Sequence, residues 1–286
     1  MEATTLQKNT EDSLGRKMLN KVPEITIFFW IVKVLCTTVG ETAADYLNFN
    51  LHLGLTNTSY LMGALLVIAL FFQFKLRKYV AGVYWLVVVL LSIVGTLITD
   101  NLSDNLHVPL IVTTVVFSIA LIITFAVWYW FEKSLSIHTI YTSRREAFYW
   151  LAILFTFSLG TAAGDLVAEQ FALGYFVTLL LVVGLIAAIA IGHFRFKLNE
   201  ITAFWLAYIL TRPLGASLGD LLSQSHKDGG LGISTTVVSV FFLTAILISV
   251  IYLSATKLDV TSEDREEELV EEEIQHLHHP DVSQHK

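Results

Sequence analysis

A Trp, a Gly ten residues later and an Asp five residues after that recur four times along this chain. The copies are Trp30/Gly40/Asp45, Trp85/Gly95/Asp100, Trp150/Gly160/Asp165 and Trp205/Gly215/Asp220. Successive Trp residues stand 55, 65 and 55 apart, a spacing that chance does not produce four times in 286 residues. The chain is therefore built from an internal repeat, and the repeat decides which folds are open to it. Each W-x9-G-x4-D segment is strongly apolar, so four acids lie at membrane depth or just beyond it, where an ionisable group marks a functional candidate.

Hydrophobic residues make up 55% of the chain, and the mean hydropathy of +0.65 is that of a polytopic membrane protein. Eight apolar runs of spanning length fall at roughly 24–47, 54–74, 79–100, 108–131, 146–168, 172–192, 200–222 and 231–256, two in each copy. The expected fold is all-α, with eight transmembrane helices in four parallel two-helix repeats, arranged pseudo-four-fold or two-by-two. A single cysteine, Cys36, excludes an internal disulfide and any cysteine metal cluster. The net charge of −7 belongs to the C-terminus: residues 257–286 hold ten acidic and three basic side chains, leaving 15 of each elsewhere.

Lys8, Arg16, Lys17, Lys21, Lys75, Arg77, Lys78, Lys133, Arg144, Arg145, Arg195 and Lys197 all fall on one side of such a topology, against Lys227 on the other. Both termini are expected in the cytoplasm. The chain divides into a leader (1–23), copies one and two (24–131), a cytoplasmic linker (132–145), copies three and four (146–256), and an acidic, His-containing tail (257–286). Two spans per copy make every copy enter the membrane in the same direction, and short outer connections should set the two helices of a copy side by side as antiparallel neighbours.

Small residues four apart beside each Asp (Gly40/Ala44, Gly95/Thr99, Gly160/Gly164, Gly215/Gly219) let backbones approach closely. This places the odd-numbered helices together at the centre and the even-numbered ones towards lipid. The tandem two-span units with their shared Trp resemble a bacterial membrane-protein family defined by a repeat of unknown function. The resemblance covers roughly 24–256 and implies an eight-span protein of the bacterial inner membrane, without supplying an activity.

Steps of four back from each Asp trace one helix face. The stripes are Lys33/Thr37/Glu41/Asp45, Val88/Ser92/Thr96/Asp100, Ile153/Phe157/Thr161/Asp165 and Tyr208/Arg212/Ala216/Asp220. Glu41 and Arg212 are costly at depth and differ by about four residues in height, roughly 6 Å, so they are expected to pair. Arg212 precedes Pro213, which should kink its helix. Lys33 lies near enough to a helix end to extend towards water. Gly54, Pro109, Gly174 and Gly232 each precede by four a Thr (Thr58, Thr113, Thr178, Thr236) whose hydroxyl either bonds its own helix or faces the Asp.

These residues compose a candidate ion site: Asp45, Asp100, Asp165, Asp220, Glu41, Arg212 and the four Thr. The competing structural reading has each Asp as a solvated turn residue, with Asp104 as an acid outside the pattern. The Trp residues suit an interfacial aromatic belt or plain packing. No protease, esterase or phosphate-loop motif is present, so neither an enzyme nor a cofactor is expected. Nucleic acid is not an expected partner; lipid and a small solute are, and homo-oligomers are compatible. The functional expectation is transport of a small ion or solute, with a cation favoured, a divalent metal such as Mg²⁺ or Mn²⁺ included, and proton coupling compatible. The alternative is a scaffold or sensor recruiting a partner through its acidic tail.

Overall fold

A computed structural model describes residues 20–260 and Arg265. The tail beyond these positions, with its His residues, lies outside the described residues. Eight long helices follow in order: α1 (Ile27–Asp45), α2 (Gly54–Lys75), α3 (Ala81–Asp100), α4 (Leu110–Glu132), α5 (Ser143–Asp165), α6 (Gly174–Phe196), α7 (Glu200–Ser223) and α8 (Thr235–Thr256). All but α7 are long and apolar enough to cross a membrane. α7 carries Glu200, Arg212 and Asp220, and its burial among other helices stands in for apolar composition. The protein is an all-α, multi-pass membrane protein.

The odd helices form a closed inner ring: α1 packs on α3, α3 on α5, α5 on α7, and α7 back on α1. The repeat glycines are the hinge points of that ring. A methyl at Gly40 would collide with Ser92, and one at Gly215 with Thr37. A methyl at Gly95 would lie 2.7 Å from Phe157 Cβ, and at Gly160 2.5 Å from Arg212 Cβ. In every case the partner is the residue seven after the Trp of the next copy, with the fourth copy meeting the first. Gly164 faces Pro213, and Gly219 faces Thr42 and Glu41. Four equal contacts at one register establish a pseudo-four-fold arrangement.

The even helices do not lie beside the inner helix of their own copy. α2 packs on α3, α4 on α5, α6 on α7, and α8 closes on α1. A short connection fixes only where two helices meet, and the two helices of a copy touch chiefly at the Asp end. Lateral packing is set instead by one narrow stripe, Thr58/Met62/Leu66/Ala69/Gln73 on α2 and Thr113/Phe117/Leu121/Thr124/Trp128 on α4. The remaining faces present exposed apolar side chains such as Val67, Phe71, Ile122 and Phe241, as a lipid-facing surface requires. Each copy is thus covered by its predecessor, and the four are interlocked.

α7 runs as one helix through Pro213, whose ring packs on Gly160 and Gly164. Of the two readings of the Trp residues, packing holds for three: Trp85, Trp150 and Trp205 turn inward and build a buried aromatic layer with Phe29, Tyr84, Tyr149 and Phe204. A closed four-helix ring needs large side chains to fill its axis.

Candidate functional site

The four i, i+4 stripes line the axis of the inner ring. Lys33, Thr37, Val88, Ser92, Thr96, Ile153, Phe157, Thr161, Tyr208 and Arg212 are all fully buried, and Glu41 and Ala216 nearly so. One helical turn separates successive layers by about 6 Å. From one end the axis carries the four Asp residues, then Glu41 with Thr96 and Thr161, then Arg212 with Thr37, Ser92 and Phe157, then Lys33 with Tyr208, and then the aromatic layer.

Arg212 is the knot of this arrangement. Its Nη2 donates to Glu41 Oε2 at 2.8 Å and to Thr96 Oγ1. Its Nη1 donates to the Thr37 carbonyl at 2.6 Å and to Ser92 Oγ at 3.4 Å. Nε and Nη2 both reach Thr161 Oγ1, at 3.0 and 2.9 Å. One guanidinium on α7 therefore binds all three other inner helices, and the expected Arg212–Glu41 pair is direct. Burying both charges is tolerable because every donor has a nearby acceptor.

Above this knot the carboxylates face one another. Asp45 acts electrostatically on Asp100, Asp100 on Asp165, and both Asp165 and Asp45 on Asp220, so the acids form a closed circuit. Glu41 acts on all four. Gln224 Nε2 donates to Asp45 Oδ2 at 3.4 Å. The carboxylates of Asp100, Asp165 and Asp220 receive no hydrogen bond from any described residue; Asp220 is buried, and Asp45, Asp100 and Asp165 are half-buried. Among the described residues no three acid, His or Cys side chains gather closely enough to hold one metal ion. The acids share a field without converging on a point.

Of the two roles expected for the Thr residues, Thr113 and Thr178 take the first and bond their own helices, to the carbonyls of Pro109 and Gly174 at 3.3 and 2.8 Å. The Thr58 hydroxyl is buried without a hydrogen-bond partner. Thr236 is exposed on the outside of α8. The buried place in copy four belongs to Ser239, whose hydroxyl donates to Thr42 Oγ1 at 2.9 Å. α8 starts at Thr235, later after its repeat Asp than the outer helices that start at Gly54, Leu110 and Gly174, and the buried place moves with it from Thr236 to Ser239.

The model of a family described as Repeat of Unknown Function (DUF347) matches four successive segments, 28–79, 83–134, 148–199 and 203–259. The chain belongs to this family. Each segment begins two residues before a repeat Trp, so one DUF347 repeat is one inner helix plus the outer helix that covers the next copy. No curated protein and no solved structure matches the chain.

The DUF347 repeat continues past its Asp in a way the spacing alone did not reveal. Asp45, Asp100 and Asp165 each end the α-helix, and a π-helical turn follows at once (Tyr46–Asn50, Asn101–Asn105, Leu166–Gln170). π-turns recur at functional positions because they re-aim the side chains around them. A further step of four reaches Asp104, Glu169 and Gln224. Glu169 acts on Asp45, Asp165 and Asp220, and Asp104 on Asp45 and Asp100. Asp104 is therefore part of the acidic field and not a reference outside it. Glu169 accepts from Tyr175 Oη at 3.2 Å and, with Ala168, Gly174, Tyr175 and Gln224, lines a cavity of about 400 Å³ at this end. Extending the stripes one step would have found both acids.

At the opposite end Lys21 is fully buried. Its Nζ donates to Glu146 Oε2 at 2.7 Å and to the Phe74 carbonyl at 3.1 Å, while Gln73 Nε2 donates to Glu146 Oε1 at 3.0 Å. The Glu24 amide donates to the Asp259 carbonyl at 2.8 Å, and Tyr79 Oη to Asp259 Oδ2 at 2.6 Å. The segments before α1 and after α8 are thereby tied over the aromatic layer.

Proposed function

We propose that this protein carries a small cation across the membrane along the axis of its inner ring, without enzymatic chemistry. The observation that supports the reading best is the charge imbalance of the Asp end. Asp45, Asp100, Asp165, Asp220 and Glu41 gather at one end of the axis against a single guanidinium in the layer below Glu41, and among the described residues three of those carboxylates have no protein donor. A carboxylate with reduced access to water and no donor is costly unless a cation, a proton or water compensates it. Five mutually repelling acids make an electrostatic well that concentrates cations from the adjoining solution. Arg212 and the aromatic layer beneath block the axis, as a carrier between transport steps requires. We further propose that the Asp end faces outward and the Trp end the cytoplasm of a bacterial inner membrane, since the Lys and Arg excess lies at the Trp end. A proton is the natural counter-ion, because protonation relieves the same repulsion that a bound cation does.

The test is flux in proteoliposomes loaded with a pH-sensitive dye and challenged with a panel of monovalent and divalent cations. Wild-type protein should move at least one cation, and Asp165→Asn and Asp220→Asn should slow it by tenfold or more. Undiminished flux in both variants, with intact folding, would remove the acids from the pathway.

A further inference from the structure

Lys33 is the least expected side chain in the molecule. It does not extend towards water: it is fully buried, and its Nζ has no hydrogen-bond partner. The ammonium instead lies 3.9 Å from the centroid of the Phe157 ring and 4.0 Å from that of Tyr208. Those two rings are nearly parallel, 14° apart in plane with centroids 6.4 Å apart, so they flank the charge from two sides. Phe29 adjoins Tyr208 and closes that side of the pocket. The neighbouring charged group is Arg212 from the layer above, with the Cys36 thiol beside Lys33 on its own helix.

Two aromatic faces around an ammonium make a recognition site for a compact, weakly hydrated cation. They offer no oxygen ligand, so they do not replace the water around a hard divalent ion. The pocket is also a product of divergence between copies. One ring comes from the position seven after the Trp in copy three and the other from the position three after it in copy four. The equivalents of Lys33 in copies two and three are Val88 and Ile153, which would leave no charge there. The pocket lies on the same axis as the acids, one turn below Arg212.

We propose that the Phe157–Tyr208 pocket is the inner binding site for the transported cation, that its substrate class is ammonium and small alkylammonium ions, and that Lys33 occupies it as a tethered substitute when no substrate is bound. This rests on the transport reading above and names its substrate. A chain that carries its own ammonium into the site keeps the pocket filled and the axis sealed, and an incoming ammonium must displace it. The acidic end then serves as collector, and the aromatic pocket as selector.

Replacing Lys33 by Ala removes a propylammonium fragment, so n-propylammonium fits the vacated space. Thermal unfolding of K33A in nanodiscs is followed with propylammonium, with methylammonium, with neutral 1-propanol and with Mg²⁺. Propylammonium should raise Tm by an amount on the order of 5 °C at saturation, while 1-propanol and Mg²⁺ leave it nearly unchanged. K33M, whose apolar chain fills the same space, should show no response, and K33A/F157L should need about tenfold more amine. Equal stabilisation by 1-propanol would reduce the pocket to an apolar cavity and overturn the proposal, as would no response to any amine. If K33A does not fold, methylammonium flux through wild-type proteoliposomes decides. Flux of divalent ions without methylammonium would overturn the substrate class and leave transport standing. Amine binding to K33A without flux of any cation would keep the pocket and remove the transport reading.

Discussion

Glu41→Gln and Arg212→Met, singly and together, probe the knot at the centre of the inner ring. Glu41→Gln keeps the shape and one acceptor but leaves the buried guanidinium without a counter-charge. Arg212→Met removes donors to Thr37, Ser92, Thr96, Thr161 and Glu41 at once, and leaves Glu41 facing four Asp residues alone. Breaking a buried pair from one side costs about 3–5 kcal/mol. That is roughly two to three and a half decades in the folded-to-unfolded ratio, since about 1.4 kcal/mol is tenfold. The Arg212 change should stand at the upper end, because several hydroxyls lose their donor as well. In the double variant neither charge is stranded, and its loss should fall short of the sum of the singles by about 1–3 kcal/mol. Chemical unfolding of the four proteins in one detergent closes the cycle. Additivity within about 0.5 kcal/mol would mean that the 2.8 Å contact carries no coupling, and the argument that pairing makes both residues tolerable would fail.

Gly40→Ala, Gly95→Ala, Gly160→Ala and Gly215→Ala should each destabilise by about 1–3 kcal/mol or more, whereas Gly63→Ala and Gly184→Ala, with nothing within 4 Å, should not; melting temperatures of the six variants check this. Asp259, 2% exposed, has its carboxyl held above the usual carboxylate range, first by burial and partly offset by the Tyr79 hydroxyl. An acid raised in the folded state contributes stability below its unfolded pKa of about 3.9 and loses it as pH rises through the folded value, so wild type should lose stability relative to Asp259→Asn as pH rises from about 4 in a thermal pH series. For the same reason a tail truncation that tests recruitment should retain Asp259, ending at Val260. Co-expressed fragments divided within residues 133–142 should reassemble while neither fragment survives alone, because α4 covers α5 and α8 covers α1 across the cut; a stable isolated half would contradict the interlock.

Much of the inner ring was legible because it rests on period and spacing. W-x9-G-x4-D places small residues at one height on four helices, and steps of four from Asp name the faces that turned out to be buried. The height difference between Glu41 and Arg212 was enough to anticipate their contact. The outer helices were not legible in the same way. The stripe Thr58/Met62/Leu66/Ala69/Gln73 says that α2 buries one narrow face, but nothing in it names α3 rather than α1 as the partner. Thr236 does not take the place of the other Thr residues because α8 starts later than Gly232 suggests, and only the helix start at Thr235 reveals Ser239. Lys33 is expected to reach water because lysine near a helix end usually does so, and only packing shows two rings around it, as only packing shows Glu146 beside Lys21.

These two lysines point to how a four-fold repeat acquires a site. Identical copies would place four equal side chains around each layer of the axis, and four equal charges there would repel. The Asp layer keeps that symmetry at the end nearest solvent, where water can screen the repulsion. Deeper layers cannot, so the copies differ in them. Glu41 faces Thr96, Thr161 and Ala216; Arg212 faces Thr37, Ser92 and Phe157; Lys33 faces Val88, Ile153 and Tyr208. Each deep layer holds one charge and three neutral partners, which is the least costly way to carry a charge through a dry ring. The signs run negative, then positive, then positive along the axis. On the proposed path a cation drawn in by the Asp end would meet first a partner and then two fixed positive side chains, so opposing charges would give the ring both attraction and closure.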